Sequence, residues 1–409
     1  GKGIRLAITE GYKHAYSAII DGNVTTLITA VVLFIFGSGP VQGFATTLII
    51  GIISSLFTAI FISRIIFEWM LSKDKHISFD NKYTRNFLQN THINFIGLRK
   101  ILYCVSGVII LAGIISLSTR GLSYGVDFAG GRSYVVRFDQ DVKTDAVRES
   151  LNKEFGESPE VKTFGPSNQV KITTKYRIKE DNVEVDSIVE AKLFNGLKPF
   201  FTKKITIDDF SVKNQEVGLL SSQKVGPTVA KDIVINAIWA VFFSLIAIFI
   251  YIAVRFRKWQ YGLGGLISLA HDAFITLSLY SFFYGVLPFT LEIDQTFIAA
   301  ILTIIGYSIN DTVIIFDRIR EYVGLHPKRD LKDNMNDAMN STLGRTLNTS
   351  GTTLAVLLAI FLFGGEVIQG FVFAMLIGVL VGTYSSVFNA TPVAYDMINI
   401  FKSKKEKVQ

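Results

Sequence analysis

The chain has 409 residues, of which 49% are hydrophobic and only 18% charged, with a net charge of +7 and a mean hydropathy of +0.39. Soluble domains carry about 25% charged residues, so this composition excludes an ordinary soluble enzyme, and its apolar content excludes disorder. A lone cysteine, Cys104, excludes an internal disulfide framework or a multi-cysteine metal site; in its apolar run it reads as a packing residue.

A helix crosses the hydrocarbon core with about 20 mostly apolar residues. In chain order, eight segments qualify: Ile19–Phe36, Phe44–Trp69, Ile101–Leu117, Ile233–Val254, Gly262–Leu287, Gln295–Phe316, Thr346–Phe363 and Val367–Ile400. Pro392 predicts a bend or an end within the last of them. Lys and Arg fall on one side. They crowd residues 64–100, follow the fourth span as Arg255, Arg257 and Lys258, follow the sixth as Arg318 and Arg320, and end the chain from Lys402. The opposite short loops, Gly37–Gly43, Pro288–Asp294 and Gly364–Glu366, carry neither. The positive-inside rule then places both ends of the chain in the cytoplasm and residues 118–232 outside.

The expected organisation is a pair of helices over 1–70, a basic cytoplasmic linker over 71–100, one span over 101–117, an outer domain over 118–232, five spans over 233–400 and a basic tail over 401–409. Within the outer domain, Ser133–Phe138 alternates as a strand and Thr144–Phe155 reads as a helix. Val161–Phe164 and Gln169–Thr174 read as strands around the turn Gly165-Pro166-Ser167-Asn168. Asn182–Phe200 reads as a second helix and Thr206–Val212 as the last strand. That order, βαββαβ, fits an α+β ferredoxin-like domain on a polytopic α-helical membrane protein. Gly125-Val-Asp-Phe-Ala-Gly-Gly131 is not followed by GKS or GKT, so it reads as a turn leaving the membrane and not as a phosphate loop.

The first two spans match the last two without a gap. Thr25-Thr26-Leu27 pairs with Thr352-Thr353-Leu354, Phe36-Gly37 with Phe363-Gly364, Gln42-Gly43-Phe44 with Gln369-Gly370-Phe371, and Ile50-Gly51 with Ile377-Gly378. Shared apolar composition scatters Leu and Ile matches; it does not place Thr-Thr, Phe-Gly and Gln-Gly-Phe at one fixed offset. The pattern predicts duplication, common in transporters that bind at the interface between repeats. The first unit has no four spans before its pair, and Gly1 is not an initiator Met. Both predict that more chain precedes Gly1.

Three motifs resemble the SecF family: Gly125–Gly131, His271-Asp272, and Gly306-Tyr-Ser-Ile-Asn-Asp-Thr-Val-Ile-Ile-Phe-Asp-Arg-Ile-Arg-Glu321. Residues 20–64, with Asp21-Gly-Asn-Val-Thr-Thr-Leu27 and Phe36-Gly-Ser-Gly-Pro40, resemble the last two spans of SecD. The whole resembles a fused SecDF translocase subunit lacking most of its SecD half. The resemblance implies a fold related to resistance–nodulation–division transporters and a place in the bacterial cytoplasmic membrane. It implies use of the proton-motive force to help preproteins cross or leave the SecYEG channel. The implied partners are SecYEG, unfolded preprotein and an N-terminal SecD half, with SecA and YajC/YidC-type membrane proteins beside them. Neither nucleic acid, cofactor, metal nor catalytic residues are expected.

Ionisable groups inside spans are costly and mark pathways or pairs. Asp311 lies in the sixth span, with Ser308 and Tyr307 three and four residues before it on the same face. Burial opposes a carboxylate's charge and a nearby cation favours it, and a group balanced between the two can take and release a proton. Arg345, at the start of the seventh span, is the expected partner. The resemblance places Asp311 and Arg345 on positions implicated in proton transport. His271 and Asp272 form a second polar spot; neighbours on a helix point about 100° apart, so the two are not expected to share a site. Asn310 and Asn389 suit interhelical hydrogen bonds, and Gly262, Gly264, Gly265, Gly306 and Gly378 suit close helix approach.

Three other functions remain open on the residues alone: an exporter of small molecules or lipids on the same scaffold, a passive preprotein-binding module, and an intramembrane aspartyl protease using Asp272 and Asp311. The sequence before Asp311, Ser-Ile-Asn, lacks the Gly-x-Gly-Asp pattern of such proteases.

Overall fold

The structure is a computed structural model and describes residues 4–73, 88, 91–180, 183–211, 216–287, 289, 291–365 and 368–408. Among these residues, eight helical segments are long and apolar enough to cross a membrane. The first pair is α1 (Ile4–Phe36), then α2 (Pro40–Phe57) and α3 (Ser63–Ser72) joined through a π turn at Thr58–Ile62. After most of the linker, which lies outside the described residues, comes α4 (Phe95–Thr119). The α+β domain follows. The remaining spans are α9 (Pro227–Arg255), α10 (Trp259–Phe283), α11 (Gln295–Leu325), α12 (Leu331–Phe363), and α13 (Gln369–Ser385) with α14 (Thr391–Val408), the last two joined through a π turn at Ser386–Ala390.

Several helices outrun their apolar stretches. Helix α12 begins at Leu331, fifteen residues before the predicted Thr346. Its first turns carry Asp333, Asn336, Asp337 and Asn340, which mask a hydropathy signal, yet Met335, Ala338 and Met339 are buried at helical spacing. Helix α11 continues to Leu325 with Arg318–Glu321 and Arg320–Asp317 paired one turn apart. The last span stays helical through Pro392. The imino nitrogen of Pro392 has no hydrogen for the carbonyl four residues back, at Phe388, and that carbonyl lies in the π turn. Cys104 is exposed among apolar side chains on α4 and is not a packing residue. Glu366 and Val367, at the predicted start of the last span, lie outside the described residues.

Helix α11 is the hub of the bundle. In its most apolar window 78% of residues are buried, against 11% for Val41–Ser72. It packs along α1, where Gly306 leaves no room for a Cβ against Thr29, and the Thr26 hydroxyl donates to the Gly306 carbonyl (2.9 Å). Thr353, the repeat equivalent of Thr26, accepts from the Tyr307 hydroxyl (3.1 Å). Equivalent threonines thus reach adjacent residues of α11. Phe44 and Phe371, also equivalent, meet edge to face at 5.6 Å, and the two π turns lie a single residue out of the repeat offset. The predicted close approaches hold for the other glycines too: Gly264 abuts the Ala390 carbonyl and Gly378 abuts Ile304.

At the linker end of the bundle, asparagines on α12 fasten the chain entering α4. Asn340 pairs with both backbone groups of Ile93, accepting from its N–H (3.0 Å) and donating to its carbonyl (2.9 Å). Asn336 accepts from the Ile96 N–H (3.0 Å), and Asn94 caps α4 by accepting from the Gly97 N–H (2.9 Å). Arg99 then pairs with Asp396 of α14 at 2.8 Å.

The α+β domain starts with a short helix α5 (Val126–Ala129) and continues as β1 (Gly131–Arg137), α6 (Thr144–Phe155), β2 (Glu160–Thr163), β3 (Gln169–Thr174), α7 (Val183–Leu197), α8 (Ile207–Phe210) and β4 (Gly218–Val225). The strands run antiparallel in the order β2-β3-β1-β4. The predicted order strand–helix–strand–strand–helix–strand is therefore present, with one element misplaced. Thr206–Val212 is not the last strand. Thr206 forms a capping box with Asp209 and starts α8, and the last strand lies at Gly218–Val225. Val212 itself lies outside the described residues. Val136 of β1, Phe138 just after it, Ile172 of β3, and Val147, Leu151 and Leu193 of the helices fill the core on one face of the sheet.

Candidate functional site

Among the described residues, three carboxylates on the spanning helices are buried: Asp21 on α1, Asp272 on α10 and Asp311 on α11. Their surroundings differ. Asp272 is wholly buried, and its Oδ2 accepts from Ser308 of α11 and Ser385 of α13, both at 2.7 Å. His271 Nδ1 lies 3.1 Å from its Oδ1. The two neighbours do share a site, against the expectation from helical spacing, because the imidazole folds back along the helix. His271 Nε2 is buried with no hydrogen-bond partner among the described residues, and its ring lies 6.2 Å from that of Tyr384.

Asp311 is 4% exposed, yet among the described residues it accepts one hydrogen bond, a long one from the Ser350 hydroxyl of α12 at 3.5 Å. Thr383 of α13 donates to Ser350 at 2.6 Å. A chain of hydroxyls therefore leads from Asp311 across α12 to α13, two residues before the Ser385 that serves Asp272. The expected grouping around Asp311 changes accordingly. Ser308 turns to Asp272, Tyr307 turns to Thr353, and Asn310 packs against Gly22 of α1. Arg345 lies mid-way along α12, is exposed, and forms no ion pair with Asp311 among the described residues. Asn389, as expected, makes an interhelical bond, accepting from Ser106 of α4 at 3.3 Å.

Sequence reasoning missed the third cluster. Asp21 accepts from Tyr251 (2.7 Å) and from Arg255 Nε (2.8 Å), and Ser17 also bonds Arg255. By sequence alone Arg255 is an orientation charge at the end of a span. The available signal was Asp21 itself, an acid inside an apolar run, which demands a cation within reach.

The α+β domain is seated on the bundle through the entrance of α11. Asp127 Oδ2 accepts from the Gln295 N–H (3.2 Å) while its Oδ1 accepts from Gln223 of β4 (2.8 Å). Asp294 caps the helix through the Phe297 N–H at 2.8 Å. Gly130 and Gly131 carry φ of +66° and +148°, and a Cβ on Gly131 would press on the Thr174 carbonyl of β3 at 3.0 Å; the turn into β1 needs both glycines. A cavity of about 990 Å³ separates the other face of the sheet from the bundle, lined by Arg137, Lys171, Asp127, Asp294 and Phe371 among others.

Residues 3–73 and 206–400 match the family described as "Protein export membrane protein SecD/SecF, C-terminal". The chain belongs to the SecD/SecF family. Residues 115–142, spanning the paired glycines, match the SecD/SecF GG motif. The protein translocase subunit SecF of Rhodothermus marinus is 40% identical over 310 residues, covering 76% of this chain and 94% of that relative. The protein translocase subunit SecDF of Bacillus subtilis is 33% identical over 416 residues, covering 96% of this chain and 52% of its own. The crystal structure of SecDF from Thermus thermophilus superposes with a TM-score of 0.81 at 29% identity, over 98% of this chain and 51% of that one. The chain thus spans about half the length of the SecDF relatives it matches, and it carries the features of a multi-pass membrane protein.

Proposed function

We propose that the protein is an accessory part of the Sec export machinery that spends the proton-motive force on moving preprotein through or out of SecYEG. In this reading both chain ends face the cytoplasm of a bacterium, the α+β domain faces outward, and Asp311 is the group that changes protonation. The observation that carries it is the contrast among the three buried carboxylates. Asp272 is held by two short hydroxyl bonds and an imidazole, and Asp21 by a guanidinium and a phenol. Asp311 is as buried as Asp21 but accepts one long hydroxyl bond among the described residues. A carboxylate with so little to lose is the one that takes and gives up a proton at least structural cost. Arg345 lies on the helix that supplies Ser350, and a rotation of α12 would bring its charge closer to Asp311; His271 and Asp272 form a second polar site, whose Ser385 lies two residues beyond Thr383 on α13.

The test uses vesicles holding SecYEG and the protein at its natural length. A proton gradient should speed completion of preprotein transport with the native protein and not with Asp311→Asn. Asp272→Asn should keep part of the response. Equal stimulation of the native protein and Asp311→Asn would remove Asp311 from the path. No stimulation of either, with the protein folded and bound to the channel, would leave passive preprotein binding as the function.

A further inference from the structure

Strands β2 and β3 place Lys162 and Lys171 directly opposite each other. Like charges at such positions repel, and the sheet pays nothing for them here because a third group lies between. Glu292, from the loop ahead of α11, has a 7% exposed side chain and reaches Lys171 Nζ at 2.6 Å and Lys162 Nζ at 3.4 Å. Lys162 also bonds the Ser123 hydroxyl (2.7 Å) and Glu160 (2.7 Å). The next residue, Ile293, joins the chain leaving α4: its N–H donates to the Ser123 carbonyl (2.7 Å) and its carbonyl accepts from the Gly125 N–H (3.0 Å). Asp294 and Gln295 follow with the two carboxylate contacts already described. Three of the four residues Glu292–Gln295 therefore hold the domain: Glu292 holds β2 and β3, Ile293 the entry to β1, and Gln295, through Asp127 and Gln223, β4, while Asp294 caps α11 itself.

The same helix carries Asp311, about 25 Å further along at 1.5 Å per residue. We infer that Glu292–Gln295 is the link through which a displacement of α11 reaches the α+β domain, with Glu292 as the positioning residue that keys the helix to the lysine pair. The inference rests on the proton reading of Asp311 for its direction of drive, and it adds the place where that drive leaves the membrane. Its geometry is that of a rigid push: a buried continuous helix, no flexible turn between Asp294 and Asp311, and a charge-assisted contact at its head that is specific to one register of the sheet. Burial pushes the Glu292 carboxyl up, but Lys171 and Lys162 outweigh it and hold the group below its ordinary value, so the key stays charged.

Two measurements decide it. The first is hydrogen exchange across residues 121–136 in reconstituted protein, run as a double-mutant cycle. Asp311→Asn should change exchange there about tenfold in the native background, within the usual range of coupling between sites, and much less in the Glu292→Gln background. The second uses transport vesicles. Glu292→Gln should keep proton flux while losing gradient-stimulated transport, and the charge exchange Lys171→Glu with Glu292→Lys should restore part of it. If Asp311→Asn leaves exchange at 121–136 unchanged, or changes it equally in both backgrounds, the link is overturned whatever transport does. If flux and transport fall together in Glu292→Gln, Glu292 serves only the fold and the inference is overturned as well. Loss of gradient response in the native protein would count against the proton reading alone, since the exchange cycle does not depend on it.

Discussion

The α+β domain and the helical bundle solve opposite problems with the same residue types. In the domain, apolar side chains such as Phe138, Leu151 and Leu193 are buried, and most charged ones lie outside, Arg132 being a buried exception paired with Asp186. In the bundle, Ile109, Val108 and Phe363 face outward, while Asp272, Thr276, Thr312 and Ser385 are fully buried. Removal of apolar surface from water drives the first. Inside a bilayer that drive is absent between helices, so close approach at glycines and interhelical hydrogen bonds carry association. The lesson is that a buried hydroxyl in the bundle does the work of a buried leucine in the domain.

The sharpest way to break this comparison is Phe138→Ala, which empties a site packed by Phe200 and Phe201. It should destabilise the domain by about 3–5 kcal/mol, read as faster amide exchange in β1 and β3 with α11 unaffected. If α11 loosens equally, the two regions fold as one. Next comes Asp272→Ala, which strands the Ser308 and Ser385 hydroxyls. A loss of about 1–3 kcal/mol is expected in thermal unfolding in detergent, although the change makes the bundle more apolar; a gain in stability would refute the role given to buried polar groups.

A smaller effect concerns the seam between the regions. Because Glu292 sits below its ordinary value of 4.5, its contribution is complete above that value and is lost as pH falls through the lowered one. Protease protection of residues 121–131 should therefore be flat from neutral pH down to mild acid and fall only below the ordinary carboxylate range. A drop near pH 7 would mean that another group controls the seam. Smallest of all, Ile109→Ala on the outward face of α4 should shift unfolding by no more than about 0.5 kcal/mol; a core-sized loss there would mean that this face is packed by protein and not by lipid.

Much of this architecture was legible in the residues. The eight spans, the helix Thr144–Phe155 and the strand Gln169–Thr174 follow from hydropathy and periodicity, which report local burial. The failures share a cause. Thr206–Val212 reads as a strand, but the capping box between Thr206 and Asp209 starts a helical turn there instead. The polar start of α12 reads as loop because its partner, the chain entering α4, is remote in sequence. At the site, the pairings differ from those that spacing predicts. Spacing places Ser308 with Asp311, whereas in the structure Ser308 bonds Asp272; the choice between two acceptors depends on where α10 lies, which no local pattern encodes. His271 and Asp272 met because side-chain torsions, and not Cα directions, decide contact between neighbours.

The π turn at Ser386–Ala390 sets the phase of the final span. A π turn is what an α-helix becomes when it absorbs one surplus residue, and that residue rotates everything beyond it by about 100° relative to an unbroken helix. Upstream, Ser385 must face Asp272; downstream, Asp396 must face Arg99 and Tyr103. The surplus residue lets one helix keep both appointments, and its near-twin at Thr58–Ile62 shows the same indexing in the other copy of the repeat. Deleting one residue within Ser386–Ala390 should leave a regular helix whose two ends can no longer be in register at once.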